Sequence, residues 1–306
     1  MRHFPLPGRS RAPGRARVIR KRAYLLPGLA AAALLATALI PSAASASIGR
    51  YVSLGDSYTA GPLIPNQYGW PAGCLRSNHN YPALVRATFA PSSFQDISCQ
   101  GADTTDMLGS EFVGVGTNPP QFSALTTATS LVTVQISGND IGFASIVAWC
   151  AGLSVINPFS SPCKNHYTSG GADQLAAAIT QTAPKIDAML KGIHQRSPNA
   201  RVLVVGYPVL LPDSGYGCWP LVPIAYGDVP YLRGVEKKLN KMLATEAAAY
   251  GARYTDTYTS SIGHDVCQIP GTNWVEGVVP TSPAAPFHPN ALGERNMAKQ
   301  VDAMVG

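Results

Sequence analysis

The sequence lacks an uninterrupted apolar run long enough to span a membrane, and its first 22 residues lack aspartate and glutamate. The apolar stretch 24–40 is 17 residues long and is interrupted by Pro27, whereas a membrane-spanning helix needs about 20 apolar residues. Eight lysines and arginines precede this stretch, and small residues ending in Ala44-Ser45-Ala46 follow it. The order is typical of a secretory signal peptide over 1–46 rather than a membrane anchor. We therefore expect cleavage after Ala46, a secreted protein and no stable membrane insertion.

Little net charge is left once this leader is removed. It holds eight of the 23 basic residues and none of the 17 acidic ones, so residues 47–306 carry a net charge of −2. No basic stripe remains to neutralise a run of phosphates, and we expect no nucleic-acid partner. A chain of 260 residues is within the range of a single α/β domain. We expect one domain over 47–306, present as a monomer.

The sequence also lacks the cysteine and histidine spacings of metal sites. There is no Cys-x-x-Cys pair and no His-Glu-x-x-His motif, so we predict neither a metal nor another cofactor. We expect four histidines to be at the surface or structural: His79, His166, His194 and His264. An even cysteine count in an exported protein indicates three disulfides, with fifteen possible connectivities, among cysteines 74, 99, 150, 163, 218 and 267.

Strand-like and helical patterns alternate, which is typical of a parallel sheet with crossover helices. Strands are predicted at 50–55, 94–99, 131–137, 201–206 and 252–256. Helices are predicted at 172–195, 232–250 and 290–305 from apolar residues near helical spacing. Stretches rich in glycine, proline and serine are expected to be loops, at 60–80, 109–122, 150–171, 207–230 and 257–289. No repeat and no linker divides the chain.

A possible nucleophile follows the first predicted strand, in Gly55-Asp56-Ser57. A serine just past the carboxyl end of a parallel strand lies at the rim where α/β sheets bind ligands. Its own backbone N–H can then stabilise the oxyanion that its hydroxyl creates. Taken alone, the tripeptide could equally cap a helix.

Three further blocks occupy equivalent places. Gly101 follows the second predicted strand, Gly138-Asn139-Asp140 follows the strand at 131–137, and His288 precedes the last helix in Phe-His-Pro-Asn. Each block lies at a strand end or a helix start, so all four can meet at one rim. We expect Asp56 and Asp140 to hydrogen-bond turns rather than transfer protons.

These four blocks resemble those of the GDSL, or SGNH, family of lipolytic serine hydrolases. The resemblance spans Tyr51 to the final helix and implies an α/β fold, a three-layer α/β/α sandwich with a flavodoxin-like five-stranded parallel sheet. It also implies Ser57 as nucleophile and His288 as base. The implied oxyanion hole consists of the amides of Ser57 and Gly101 and the side chain of Asn139. The Gly-x-Ser-x-Gly elbow of the other large esterase fold is absent.

The cysteines resemble those of secreted bacterial esterases and lipases of this family, which pair in sequence order. The implied disulfides are Cys74–Cys99, Cys150–Cys163 and Cys218–Cys267.

The sequence departs from the family pattern before the histidine. The family usually has an aspartate three residues earlier, where the carboxylate orients the imidazole, and here that position is Ala285. Our hypothesis is a Ser–His dyad in which the backbone carbonyl of Ala285 accepts from His288 Nδ1. The alternative is a carboxylate from elsewhere, Asp265 or Glu276.

The expected activity is hydrolysis of small-molecule or lipid carboxylic esters, with fatty-acyl esters favoured. Seven loop residues could line an apolar acyl groove or be core: Ile141, Phe143, Trp149, Leu210, Leu211, Trp219 and Leu221. The alternatives are a carbohydrate acetyl esterase using the same dyad and a non-catalytic binding module on the same fold.

Overall fold

The computed structural model describes residues 48–306, and the predicted leader, 1–46, lies outside them. The strands are β1 (Arg50–Gly55), β2 (Ser93–Asp96), β3 (Glu111–Phe112), β4 (Thr117–Asn118), β5 (Thr129–Gln135), β6 (Arg201–Val205) and β7 (Arg253–Thr255). The α-helices are α1 (Ser57–Ala60), α2 (Tyr81–Phe89), α3 (Phe143–Ile156), α4 (Pro162–Thr168), α5 (Gln174–Arg196), α6 (Asp228–Ala249) and α7 (Ala291–Val305). Across 48–306, no helix has both the length and the apolar character needed to cross a membrane.

Five strands form one parallel sheet in the order β2-β1-β5-β6-β7. Tyr51 of β1 pairs with Leu131 of β5, and Val132 of β5 pairs with Val202 of β6. The short strands β3 and β4 form a separate antiparallel pair. Because all five main strands run the same way, the segments that follow them meet at one edge of the sheet.

Helices cover both faces of this sheet. On one face, Tyr51 and Leu131 pack with residues of α2 and α7, among them Val85 and Met297. On the other face, Val52 and its neighbours pack in a larger core with residues of α5 and α6. Successive strand residues point to opposite faces, so the branched strands supply both cores. The three-layer α/β/α sandwich of the SGNH hydrolases is confirmed.

The region 150–171, expected to be a loop, is largely helical. It contains the second half of α3 and all of α4. Helix α3 carries apolar residues around its whole circumference, so it lacks the amphipathic period from which helices are predicted. Helix α2 is a second element that the sequence analysis does not predict. Helix α6 begins at Asp228, before the predicted 232, because Pro230 is tolerated in a first turn.

The six cysteines are paired in sequence order, as the family resemblance implies. The bonds are Cys74–Cys99, Cys150–Cys163 and Cys218–Cys267. The second joins α3 to α4, and the third joins the segment after β6 to the segment after β7. Each bridge is expected to contribute about 2–4 kcal/mol of stability.

The end of β1 is held by a buried side chain. Strand β2 ends at Asp96, but the segment after it still reaches Gly55, whose carbonyl accepts from the Cys99 N–H at 3.0 Å. Gln121 accepts from the Gly55 N–H at 2.8 Å and donates to the Gly55 carbonyl at 2.9 Å, and it is fully buried. A side chain at Gly55, whose φ is +151°, would collide with Thr59 and the Gln135 carbonyl. Gln121 therefore fixes the peptide that precedes Asp56 and Ser57.

Replacing Gln121 with leucine should destabilise the fold. The Gln121→Leu change leaves the buried Gly55 N–H without a partner, while the Gly55 carbonyl keeps its bond from the Cys99 N–H. We therefore expect the free energy of unfolding to fall by about 2 kcal/mol. Urea unfolding measures this difference. The matched control is Gln181→Leu at an exposed position of α5, which should change stability by less than about 0.5 kcal/mol. Equal effects of the two changes would contradict the assignment.

Candidate active site

A serine and a histidine from opposite ends of the chain meet at the carboxyl edge of the sheet. Ser57 opens α1 directly after β1, and His288 lies in the segment between β7 and α7. Ser57 Oγ is 2.7 Å from His288 Nε2. Both residues are partly exposed at the surface. The distance is within hydrogen-bond range, as proton transfer between a nucleophile and a base requires.

The second ring nitrogen of His288 contacts a backbone carbonyl. His288 Nδ1 lies 2.8 Å from the carbonyl oxygen of Pro286. Because a carbonyl only accepts, Nδ1 must carry the proton, and in the neutral ring Nε2 is then the acceptor that faces Ser57.

The expectation that Ala285 supplies this carbonyl is wrong by one residue. The Ala285 carbonyl accepts instead from the backbone N–H of His288, at 3.1 Å. Phe287 has a φ of +61°, and this left-handed turn brings the Pro286 carbonyl beside the ring. The expected contact between a backbone carbonyl and His288 Nδ1 is therefore present, but Pro286 rather than Ala285 supplies the carbonyl.

Neither alternative carboxylate contacts the imidazole. Asp265 accepts from the backbone N–H of Cys267 at 2.9 Å. Glu276 is fully buried and accepts from the side chains of Asn273 and Asn290, at 2.9 and 2.7 Å, and from the Thr281 N–H. Its backbone bonds to the carbonyl of His288 and to the N–H of Phe287. Glu276 thus holds the loop that carries the histidine.

Tyr58 links this loop to the serine. Its hydroxyl donates to the Phe287 carbonyl at 2.6 Å, and its ring centroid is 5.0 Å from that of His288. The side chain is almost fully buried. Since Tyr58 directly follows Ser57, a rigid contact runs from α1 to the residue before the histidine.

The glycine and asparagine blocks lie together at the same edge. Asn139 Nδ2 donates to the Ala102 carbonyl at 2.8 Å, and Asp140 accepts from the backbone and hydroxyl of Thr104. Gly101, with a φ of +87°, is exposed beside Ala102. Within residues 48–306, the N–H groups of Ser57 and Gly101 donate to no acceptor. These two N–H groups and the second Asn139 hydrogen are available to a ligand.

A buried tyrosine that the sequence analysis misses connects two of the blocks. Tyr207 donates its hydroxyl to Asp56 at 2.5 Å and accepts from the Gly138 N–H at 2.8 Å. Burial is the main cause that raises the pKa of Asp56 to about 7. Tyr207 directly follows the strand predicted at 201–206. This position indicates that it lies at the carboxyl edge of the sheet.

An apolar pocket opens beside the serine. It contains about 840 Å³ of empty space, counted with its open mouth. Its lining includes Ser57, Asn139 and Tyr207, and four of the seven proposed groove residues, Ile141, Phe143, Leu210 and Leu211. Trp149 and Leu221 are instead exposed, and Trp219 lies outside the lining. Glu236 also lines the pocket, and no motif in the sequence points to it.

The described residues contain no group of three or more histidine, cysteine, aspartate or glutamate side chains that could hold a metal ion. His264 stacks on Trp274 with ring centroids 3.5 Å apart, and His166 packs against Trp149. The prediction that these histidines are structural agrees with both contacts.

The three-layer α/β/α fold places this protein in the class of SGNH-type ester hydrolases. The profile of the GDSL-like Lipase/Acylhydrolase family matches residues 53–295. The chain belongs to this family.

Relatives of this chain include proteins from Streptomyces. The chain is 38% identical to "Lipase 2" of Streptomyces coelicolor over 262 residues, which cover 84% of this chain and 85% of that protein. Among solved structures, phospholipase A1 from Streptomyces albidoflavus NA297 superposes with a TM-score of 0.70 at 29% identity, covering 84% and 99% of the two chains. An extracellular lipase from Streptomyces rimosus gives a TM-score of 0.67 at 28% identity, covering 83% and 99%.

Replacing Glu276 with glutamine should destabilise the protein in a pH-dependent way. Burial opposes ionisation, but hydrogen bonds led by those from Asn290 and Thr281 outweigh it and hold the pKa of Glu276 below its usual 4.5. An acid with a lowered pKa stabilises the fold above its unfolded pKa, and the contribution is lost as pH falls through the folded pKa. Glu276→Gln turns an amide NH₂ toward groups that donate, at a cost of about 2 kcal/mol near pH 7.

Urea unfolding from pH 7 to pH 3 measures this difference, which should shrink below pH 4.5. Glu246→Gln, on α6, is the matched control and should change stability by less than about 0.5 kcal/mol. A Glu276→Gln effect that does not depend on pH would show that only packing is lost.

Proposed function

We propose that this protein is a secreted ester hydrolase that cleaves fatty-acyl esters through an acyl-enzyme on Ser57, with His288 as the base. The observation that carries the proposal is the 2.7 Å contact between Ser57 Oγ and His288 Nε2 at the mouth of an apolar pocket. A neutral imidazole with its proton on Nδ1 is ready to accept the serine proton.

The reaction is a double displacement. His288 Nε2 takes the Ser57 proton as Ser57 Oγ attacks the ester carbonyl, and the new oxyanion receives hydrogen bonds from the Ser57 N–H, the Gly101 N–H and Asn139 Nδ2. The carbon–oxygen bond to the alcohol breaks, and the alcohol leaves with the proton from His288. Water then attacks the acyl-enzyme by the same route and releases the acid.

In this proposal the imidazole is oriented by a carbonyl rather than by a carboxylate. A misoriented imidazole costs on the order of 10⁴ in turnover in the serine triad template, so the ring must be held firmly. The contacts of the Pro286 carbonyl, of Tyr58 and of Glu276 with this segment support the proposal.

The pocket supports a fatty-acyl substrate. Its lining is dominated by aliphatic and aromatic side chains, among them Phe143, Ile146 and Leu239. Such a lining binds hydrocarbon and gives a short acetyl group few contacts, so a carbohydrate acetyl esterase is not favoured. Similarity to proteins named lipase and phospholipase A1 adds support for lipid esters.

Secretion is part of the proposal. Three disulfides within 48–306 fit an oxidising compartment, and a similar solved structure is described as an extracellular lipase. Cleavage after Ala46 and a monomeric state remain predictions.

Removing the nucleophile or one oxyanion donor should separate chemistry from folding. We expect Ser57→Ala to abolish hydrolysis and Asn139→Ala to lower kcat by about 10²–10³, because one donor to the transition state is lost. The measurement is kcat/KM on nitrophenyl esters from acetyl to palmitoyl, with circular dichroism to show that both variants fold.

A fluorophosphonate probe supplies the control for this experiment. Wild-type protein and Asn139→Ala should be labelled, whereas Ser57→Ala should not, since only an activated serine reacts. Hydrolysis retained by folded Ser57→Ala would overturn the proposed mechanism, and an unlabelled wild-type protein would favour a binding module.

Activity should persist into mildly acidic solution. Burial is the main cause that lowers the pKa of His288 below 6.5, and the ring is neutral above that lowered pKa. Since only the neutral ring can act as base, kcat/KM should fall as pH decreases through a midpoint below 6.5. The pH profile of a short-chain ester gives this midpoint.

Ala285→Asp is the matched variant for this profile, because it places an acid where the family usually has one. A carboxylate near the ring favours the imidazolium form, so the midpoint should move to higher pH. A wild-type midpoint above neutral pH, unchanged in Ala285→Asp, would show that a carboxylate already contacts the ring.

A further inference from the structure

A carboxyl group lies in the wall of the acyl pocket. Helix α6 contributes Leu232, Val235 and Leu239 to the lining, and Glu236 lines the pocket beside them. The same pocket contains Ser57. A long acyl chain bound for attack by the serine would therefore pass through a space that Glu236 borders.

This carboxyl group has very few partners. Both of its oxygens lie near a single donor, the backbone N–H of Leu210, at 3.1 and 3.3 Å. The neighbouring cations are used elsewhere, since Lys237 pairs with Asp213 and Arg233 donates to the carbonyls of Pro212 and Gly215. A carboxyl group offers several hydrogen-bonding positions, and one N–H satisfies only one of them.

The protonation state of Glu236 determines whether it presents a hydrogen-bond donor to a ligand in the pocket. Burial is the main cause that raises the pKa of Glu236 to about 8, so the group is a neutral acid at pH 7. Within residues 48–306 the one donor to its oxygens is the Leu210 N–H, which leaves its O–H to donate into the pocket. In the free protein, water in the pocket can accept this bond. A hydrocarbon chain that displaces the water leaves a buried donor unsatisfied, which is unfavourable.

We propose that Glu236 determines acyl-group specificity, favouring acyl chains that carry a hydrogen-bond acceptor oxygen over pure hydrocarbon chains of the same length. An ether or hydroxyl oxygen on the chain replaces the displaced water, whereas a methylene does not. The inference rests on the proposed function, because it needs the acyl chain of a Ser57 ester to occupy this pocket.

Two esters of equal chain length test the proposal. Nitrophenyl decanoate supplies a hydrocarbon chain, and nitrophenyl trioxadecanoate replaces three of its methylenes by ether oxygens spread along the chain. Nitrophenyl acetate is too short to fill the pocket and reports on Ser57 and His288 alone. The kcat/KM values are measured for wild type, Glu236→Leu and Glu236→Gln. Because the three esters differ in intrinsic reactivity, the ratio of kcat/KM between two esters is calculated for each protein, and these ratios are compared.

The expected result is a change of preference without a change of chemistry. Glu236→Leu should raise kcat/KM for decanoate about tenfold relative to acetate and lower it for trioxadecanoate, since an unsatisfied polar group is replaced by an alkyl group. Glu236→Gln keeps an acceptor for the Leu210 N–H and a donor to the pocket, so it should keep the wild-type preference.

An unchanged ratio of decanoate to trioxadecanoate in folded Glu236→Leu would overturn the proposal. Equal losses on all three esters would also overturn it, because Glu236 would then only hold Leu210 in place. Failure of the proposed function looks different: wild-type protein would not hydrolyse acetate, or Ser57→Ala would hydrolyse it as well as wild type.

Wild-type protein supplies a second measurement if Glu236→Leu does not fold. An ionised carboxylate is harder to desolvate than a neutral acid, so the ratio of kcat/KM for decanoate to that for acetate should fall as pH rises through about 8. A ratio that stays constant across this range would contradict the proposal.

Asp56 lines the same pocket, and burial is the main cause that raises its pKa to about 7. The other charged groups near Glu236 are Lys237, Asp213, Asp265 and Arg233, and the titratable ones are Tyr58, Tyr254 and Tyr258. Burial is the main cause that raises the pKa of each of these tyrosines above its usual 10. Glu236→Gln separates the two acids: the fall should disappear in this variant, and a fall that persists would come from Asp56 and contradict the proposal.

Discussion

The hydrogen bond from His288 Nδ1 to the Pro286 carbonyl determines what this site can do. A carbonyl accepts and cannot donate, so it fixes the proton on Nδ1 and leaves the lone pair of Nε2 directed at Ser57 Oγ, 2.7 Å away. The surrounding structure keeps this carbonyl in place. Phe287 adopts a left-handed turn next to it, and the Tyr58 hydroxyl holds the Phe287 carbonyl. Without these contacts the imidazole could rotate about its side-chain bonds, and the 2.7 Å contact with Ser57 Oγ would be lost.

One of the two alternative carboxylates, Glu276, lies in the loop but supports its backbone instead of the imidazole. Glu276 is buried among Asn273, Asn290 and Thr281 and is bonded through its own backbone on both sides of the histidine. A carboxylate touching the ring would stabilise the imidazolium and raise the pKa of His288. A neutral carbonyl gives orientation with much less of that effect, and burial holds the pKa of the ring below its usual value. The loop thus gains rigidity from an acid while the imidazole stays neutral.

Sequence patterns predict the parts of this protein that depend on neighbouring residues. Branched runs locate strands β5 and β6. The blocks around Ser57, Gly101, Asn139 and His288 fall at one edge because parallel strands end together. The errors come from long-range or non-periodic structure. Helix α3 has no polar face to reveal it. The choice between adjacent carbonyls depends on the turn at Phe287, and the contacts of Tyr207 join residues more than 60 positions apart.

The proposed reacting groups and the proposed acyl pocket are built from different parts of the chain. Ser57, Asn139 and His288 stand at the ends of strands or at the start of the last helix. The pocket walls come from α3, the segment after β6 and α6, and disulfides Cys150–Cys163 and Cys218–Cys267 tie two of these to their neighbours. Tyr207 belongs to both parts, since it lines the pocket and bonds to Asp56 and Gly138. Substitutions in the walls away from Tyr207 can therefore alter which acyl group fits while the geometry of Ser57 and His288 stays the same.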